Sequence, residues 1–218
     1  MLTHPPPVEI GAVVIGALSG GMHAVNRKSD AIGTFTIALA TGLGGGILRD
    51  VLIGDGPPLA LRAPLYLPVV AAAALATLLF ASWLARIASV LAVLDALLLG
   101  MWTVMGAERA FAHGLPTGSV IFLGTITAIG GGVLRDLLSD TVPAILRHGE
   151  LHATAALIAA AVFSFLVRFG HAPLFAAEVA ALIVAAALRL LAMRWHVTAP
   201  EPFDLPAWWR SRRRTARP

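Results

Sequence analysis

Long apolar runs separated by short polar clusters set the rhythm of this chain. Seven runs reach membrane-spanning length: about Val8–Val25, Ala31–Ile53, Ala63–Trp83, Ile87–Phe111, Thr117–Leu138, Leu151–Val167 and Pro173–Met193. A helix needs roughly 20 apolar residues to cross about 30 Å of hydrocarbon. The breaks carry polar residues, Pro and Gly: NRKSD, GDGPPLALR, ASWLAR, AHGLP, SDTVPAILRHGE and RFGHAP. Asp30, in SDAIG, reads as the N-cap of the second span. Many spans are rich in Ala, Gly, Ser and Thr, which let helices approach closely in lipid. The pattern predicts an all-α integral membrane protein, packed as a bundle.

Composition agrees. The 218 residues are 58% hydrophobic and 13% charged, with a mean hydropathy of +0.83. Soluble domains carry about 25% charged residues, so this chain has too little polar surface to face water all round. The pI near 10.9 comes largely from a short tail holding Arg210, Arg212, Arg213, Arg214 and Arg217. That is a tail and not a basic face, which argues against a nucleic-acid partner. It suits an anionic membrane surface, where each basic residue contributes about 1 kcal/mol. No cysteine is present, which excludes disulfides and thiolate metal sites. The opening MLTHPPPVEI lacks the basic region of a secretory leader, so the first apolar run is expected to remain.

Lys and Arg in short loops set orientation. With the C-terminus cytoplasmic, Arg27, Lys28, Arg86, Arg147 and the tail share one side, against Arg62, Arg109 and Arg168 on the other. Seven spans then put the N-terminus outside. Trp195, Trp208 and Trp209 read as interfacial anchors.

Two segments repeat. GGGILRDVLIGDGP spans Gly44 to Pro57, and GGGVLRDLLSDTVP spans Gly130 to Pro143, an offset of 86 residues. Gly, Gly, Gly, Leu, Arg, Asp, Leu and Pro coincide, and Glu9 falls opposite Asp95, Gly20 opposite Gly106. Three crossings separate the copies, so the second is upside down. The chain therefore reads as two inverted three-helix repeats (about 8–83 and 87–168), an extra helix (about 173–194) and a basic tail (196–218), with residues 1–195 as one transmembrane domain. Inverted repeats with Gly-interrupted helices point to a transport path.

Two readings of the triplets Gly44–Gly46 and Gly130–Gly132 stand side by side. Each Gly costs a helix about 1 kcal/mol relative to Ala, so helices 2 and 5 are expected to kink or unwind there. Carbonyls freed in this way are tolerated at membrane depth only beside water or protein, and they suit a dehydrated cation. Alternatively the triplets form a close-packing surface. The motif charges Arg49, Asp50, Arg135 and Asp136 must pair, hydrate or snorkel, because intramembrane charge costs several kcal/mol. Duplication in inverted register favours the transport reading.

Hydroxyls concentrate in spans 1, 2, 4 and 5. Ser19, Thr36, Thr41, Thr103, Ser119, Thr125 and Thr127 are the candidate pore-lining residues, although a membrane hydroxyl commonly bonds its own helix at i−4. Glu9 and Asp95 stand near helix starts, as caps or as acidic vestibules on opposite faces. No metal-ligand cluster, nucleophile–base pair or phosphate loop is present in the sequence, so no enzyme activity and no cofactor are expected.

Two copies of G-G-G-x-L-R-D-x-L-x-x-x-x-P in a seven-helix chain resemble the prokaryotic branch of the trimeric intracellular cation (TRIC) channels, over roughly residues 8–195. The resemblance implies a homotrimer with a pore in each protomer, kinks at the six glycines, membrane-lipid contacts, and monovalent cations, potassium foremost, as the permeant species. It implies an inner-membrane location. Related bacterial domains have been labelled glycine transporters. The expected function is a passive potassium-permeable channel, with a secondary transporter of a small zwitterion such as glycine as the alternative, and a structural scaffold as the reading without transport.

Overall fold

The structure is a computed structural model that describes residues 7–146 and 151–195. The basic tail and Arg147 lie outside the described residues. The elements in order are α1 (Pro7–Asn26), α2 (Ala31–Ile53), α3 (Leu59–Arg62), α4 (Tyr66–Arg86), α5 (Ala88–Ala112), α6 (Thr117–Leu138), a 3-10 turn (Ala144–Leu146), α7 (His152–Arg168) and α8 (Leu174–Trp195). Among the described residues, seven helices have 17 residues or more, and five combine spanning length with high hydropathy. The other two, α1 and α7, have 20 and 17 residues, within the range that crosses a bilayer.

Local chemistry sets the ends. The Asp30 carboxylate accepts a 2.7 Å hydrogen bond from the Gly33 N–H and caps α2, as the sequence indicates. Gly54 closes α2 in the left-handed region at φ 76°, where a side chain would strain the backbone. Within α4, Phe80 departs from helical geometry (φ −122°, ψ 23°).

The long helices form two three-helix units. In the first, α1 packs on α2 and α4; in the second, α5 packs on α6 and α7. Each has its own apolar core. Val13, Ala17, Leu43, Tyr66 and Val70 fill the first; Val104, Ala107, Leu123 and Phe163 fill the second, with an alanine stripe of α8 (Ala177, Ala181, Ala185) laid against it. Small side chains permit this. A Cβ on Gly100 of α5 would stand 2.9 Å from the Leu182 carbonyl oxygen of α8. Leu75, Leu79, Trp83, Phe165, Phe175 and Ile183 point outward as a lipid-facing surface.

The units meet where α2 crosses α6, and the contacts there are reciprocal. A Cβ on Gly45 would collide with the Thr127 carbonyl; a Cβ on Gly131 would collide with the Thr41 carbonyl. Likewise a Cβ on Gly44 would lie 2.6 Å from Leu134 Cδ1, and one on Gly130 2.8 Å from Leu48 Cδ1. All of these partners match under the 86-residue offset. Reciprocity of this kind is the signature of a two-fold relation between the repeats.

One part of an expectation, unwinding at the triplets, is corrected here. The helical backbone runs unbroken through both triplets, so neither helix unwinds at them. Each triplet instead meets the backbone of the opposite helix. Keeping the helical hydrogen bonds leaves no carbonyl bare in an apolar setting, and close helix contact offsets the low helix propensity of Gly.

Candidate functional site: the cavity at the crossing

A cavity of about 90 Å3 lies beside the α2–α6 crossing. One water needs about 10–15 Å3 by this kind of measure, so there is room for several. Its floor is the third glycine of each triplet. A Cβ on Gly132 would meet nothing within 4 Å, and one on Gly46 would meet only the Arg49 guanidinium, at 3.9 Å. The triplets thus divide their work: the first two glycines bring helices together, the third leaves space. Thr41 and Thr127 form part of the wall. Each hydroxyl donates to its own helix, Thr41 to the Ile37 carbonyl (2.7 Å) and Thr127 to the Leu123 carbonyl (2.6 Å), which leaves the oxygen an acceptor.

Charged and titratable groups gather at one end: Asp95 from α5, Arg135 and Asp136 from α6, His152 from α7. Arg135 Nε and Nη2 both bond Asp136 Oδ1 at 2.9 Å. The other carboxylate oxygen, Oδ2, accepts the Ala144 N–H at 2.9 Å, which caps the 3-10 turn after Pro143. His152 Nε2 stands 3.8 Å from Asp95 Oδ2.

A second, smaller void of about 10 Å3 sits on the other side of the crossing. It is the counterpart of the first. Of its ten lining residues, nine map onto the main cavity under the 86-residue offset. Glu9 answers Asp95, Tyr66 answers His152, and Arg49–Asp50 answer Arg135–Asp136. The motif bonds repeat too. Arg49 Nε bonds Asp50 Oδ1 at 2.8 Å, and Asp50 Oδ2 accepts the Leu59 N–H at 2.8 Å at the start of α3. The two differ in access. The Arg49 side chain is 3% exposed and that of Arg135 is 23% exposed. Trp102 lines both voids and is the offset partner of Gly16, which borders only the larger. Where one repeat has only the hydrogen of Gly16, the other places the Trp102 indole between the two voids, and the voids differ in volume, about 90 Å3 against about 10 Å3.

The structure thus brings together the six glycines, the four motif charges, Thr41 and Thr127. It places the other hydroxyls elsewhere. Thr103 is buried and bonds the Leu99 carbonyl; Thr125 bonds the Ile121 carbonyl; Thr36 is exposed and bonds the Ile32 carbonyl. Ser19 and Ser119 are half-buried. None of these five lines this cavity. Sequence reasoning missed His152, Tyr66 and Trp102. The signal was the same offset, carried from the glycine motif to the rest of the chain.

The chain resembles known proteins in sequence and fold. The chain matches the family described as "Glycine transporter" over residues 8–82 and 92–168. The inner membrane protein YadS of Escherichia coli K12, a UPF0126 protein, is 30% identical over 194 residues, covering 88% of this chain and 93% of that one. A solved structure described as the structural basis for conductance through TRIC cation channels superposes with a TM-score of 0.85 at 33% identity, covering 90% of this chain and 96% of the other. The TRIC orthologue from Rhodobacter sphaeroides superposes at 0.79 with 34% identity, covering 87% and 97%.

Proposed function

Because the chain belongs to the family of prokaryotic TRIC channels and UPF0126 membrane proteins, we propose that it is a passive, potassium-permeable cation channel of the inner membrane, with a pore within each protomer and no enzymatic step or cofactor. The observation that carries this reading is the cavity, with room for several waters, where the inverted repeats cross. Glycines give it a wall of backbone, threonines add acceptor oxygens, and Asp95 supplies a carboxylate at the mouth. Oxygen acceptors replace part of the water around an entering cation, and mouth carboxylates raise its local concentration. Arg135 and Asp136 neutralise each other, so they shape the wall without blocking cations. In this reading the protein is a homotrimer in contact with membrane lipid. Residues 1–195 form one channel domain with a basic cytoplasmic tail at 196–218, and the N-terminus lies outside. The open vestibule, at the C-terminal end of α6, then faces the cytoplasm.

A second reading draws on the inequality of the two vestibules. Access from one side at a time is how inverted-repeat transporters move a solute, which fits a carrier of a small zwitterion such as glycine. Purified protein in planar bilayers separates the two. Unitary currents that reverse at the potassium equilibrium potential are expected. Saturable, ion-coupled glycine uptake without unitary currents would establish the carrier instead.

A further inference from the structure

At the shut vestibule, charged groups link the two repeats. Arg109 of α5 reaches back to α2: its Nε lies 3.7 Å from Asp50 Oδ1 and its Nη2 3.6 Å from Asp55 Oδ2. His113, the C-cap of α5, places Nε2 3.6 Å from the same Asp55 oxygen. From these contacts we propose that Asp55, Arg109 and His113 form an acid-strengthened latch that fastens α5 to the end of α2 beside the repeat-one vestibule, in series with Trp102. The proposal rests on the cation-channel reading and supplies the regulation of that same path.

Hydrogen-bond chemistry gives the latch its sense. His113 Nδ1 lies 2.8 Å from the Arg109 carbonyl oxygen. A carbonyl only accepts, so Nδ1 carries the proton in the neutral ring, and Nε2 turns a lone pair toward the Asp55 carboxylate. Neutral His113 therefore repels its neighbour. Protonation puts an N–H and a positive charge in the same place, and the contact becomes attractive.

The surrounding charges preserve that sign. Arg62 of α3 bonds the Asp55 and Pro57 carbonyls. Arg168 of α7 bonds the Leu115 carbonyl and lies over the Phe111 ring. Both are engaged with backbone oxygens and leave the Asp55 carboxylate to Arg109 and His113. Asp50, behind Arg109, is bonded to Arg49 and to the Leu59 N–H. Added charge on His113 meets the repulsion of Arg109, and Asp55 Oδ2 stands 3.6 Å from each of the two cations.

The opposite face lacks the device. Under the offset, Asp55 becomes Thr141, whose hydroxyl donates to the Asp136 carbonyl. Among the described residues, the offset position of Asp55 therefore carries a hydroxyl in place of a carboxylate.

The test uses the full-length protein in liposomes, with potassium flux and spin-label distance as separate readouts. Because the chain has no cysteine, Leu61→Cys and Ala112→Cys, both on exposed positions of α3 and α5, accept labels specifically, and dilution with unlabelled protomers isolates the distance within one protomer. Raising the outer pH from 5.5 to 8 is expected to increase flux about two- to fivefold, the range an ion pair of this exposure provides, and to lengthen the label distance. His113→Gln should flatten both responses, and Asp55→Asn should give high flux at either pH. A distance that responds to pH in wild type and not in His113→Gln, without potassium flux, upholds the latch and refutes the channel reading. Flux whose pH profile survives His113→Gln, or a label distance indifferent to pH, overturns the latch.

Discussion

Within each glycine triplet, neighbouring residues do different physical work. At Gly45 and Gly131 a single methyl would strike the backbone of the opposite helix, whereas Gly132 has open space around it. Gly45→Ala and Gly131→Ala are therefore expected to destabilise the protein by about 1–3 kcal/mol through overpacking, read as a fall in the thermal unfolding midpoint in detergent. Gly132→Leu should leave that midpoint unchanged and abolish flux by filling the cavity. Equal thermal effects at positions 45 and 132 would show that this division of labour is wrong. The sequence displayed the triplets and their inverted register, and both are in the structure. It did not display the state of the helix through them. Helix propensity favours unwinding at three glycines, but close contact between α2 and α6 outweighs it, and nothing local to either segment reveals the partner. Packing of the opposite helix is a tertiary fact.

Among the elements, the motif reads as a corner. Arg–Asp at the end of α2 or α6 faces back toward a short helical turn that starts just past the matched proline. The carboxylate uses one oxygen for the arginine and the other for the first free N–H of the turn. This explains why Asp and Pro recur at a fixed spacing. The two short turns leave no periodic signal in the sequence, because three or four residues show no period. The shared bonding does not give equal energetics. Asp50→Ala leaves the buried Arg49 without its carboxylate and is expected to cost about 3–5 kcal/mol. Asp136→Ala leaves Arg135 with access to the cavity, and about 1–3 kcal/mol is expected. Denaturant unfolding of the two variants, compared with wild type, checks the order; a larger loss at Asp136 would contradict it.

At the scale of the molecule, two nearly equivalent vestibules meet at one crossing, and the departures from equivalence carry the function. Trp102 stands where the other repeat has Gly16, Tyr66 where it has His152, and Asp55 where it has Thr141. The all-helical fold, the inverted order and the motif charges could be read from hydropathy and a repeated string, since both are periodic. The shut-and-open inequality could not, because it depends on which side chains fill a shared space. Cysteine accessibility tests that inequality most directly, in a chain with no cysteine of its own. Ile129 and Leu43 are offset partners, buried on the walls of the larger and smaller voids. In liposomes at pH 8, where the latch is weakened, Ile129→Cys is expected to react readily with a small water-soluble thiol reagent, while Leu43→Cys stays protected until Trp102→Gly is added. Equal reactivity of the two single variants, or protection of Leu43→Cys that persists without the indole, would contradict the account of one open and one plugged vestibule.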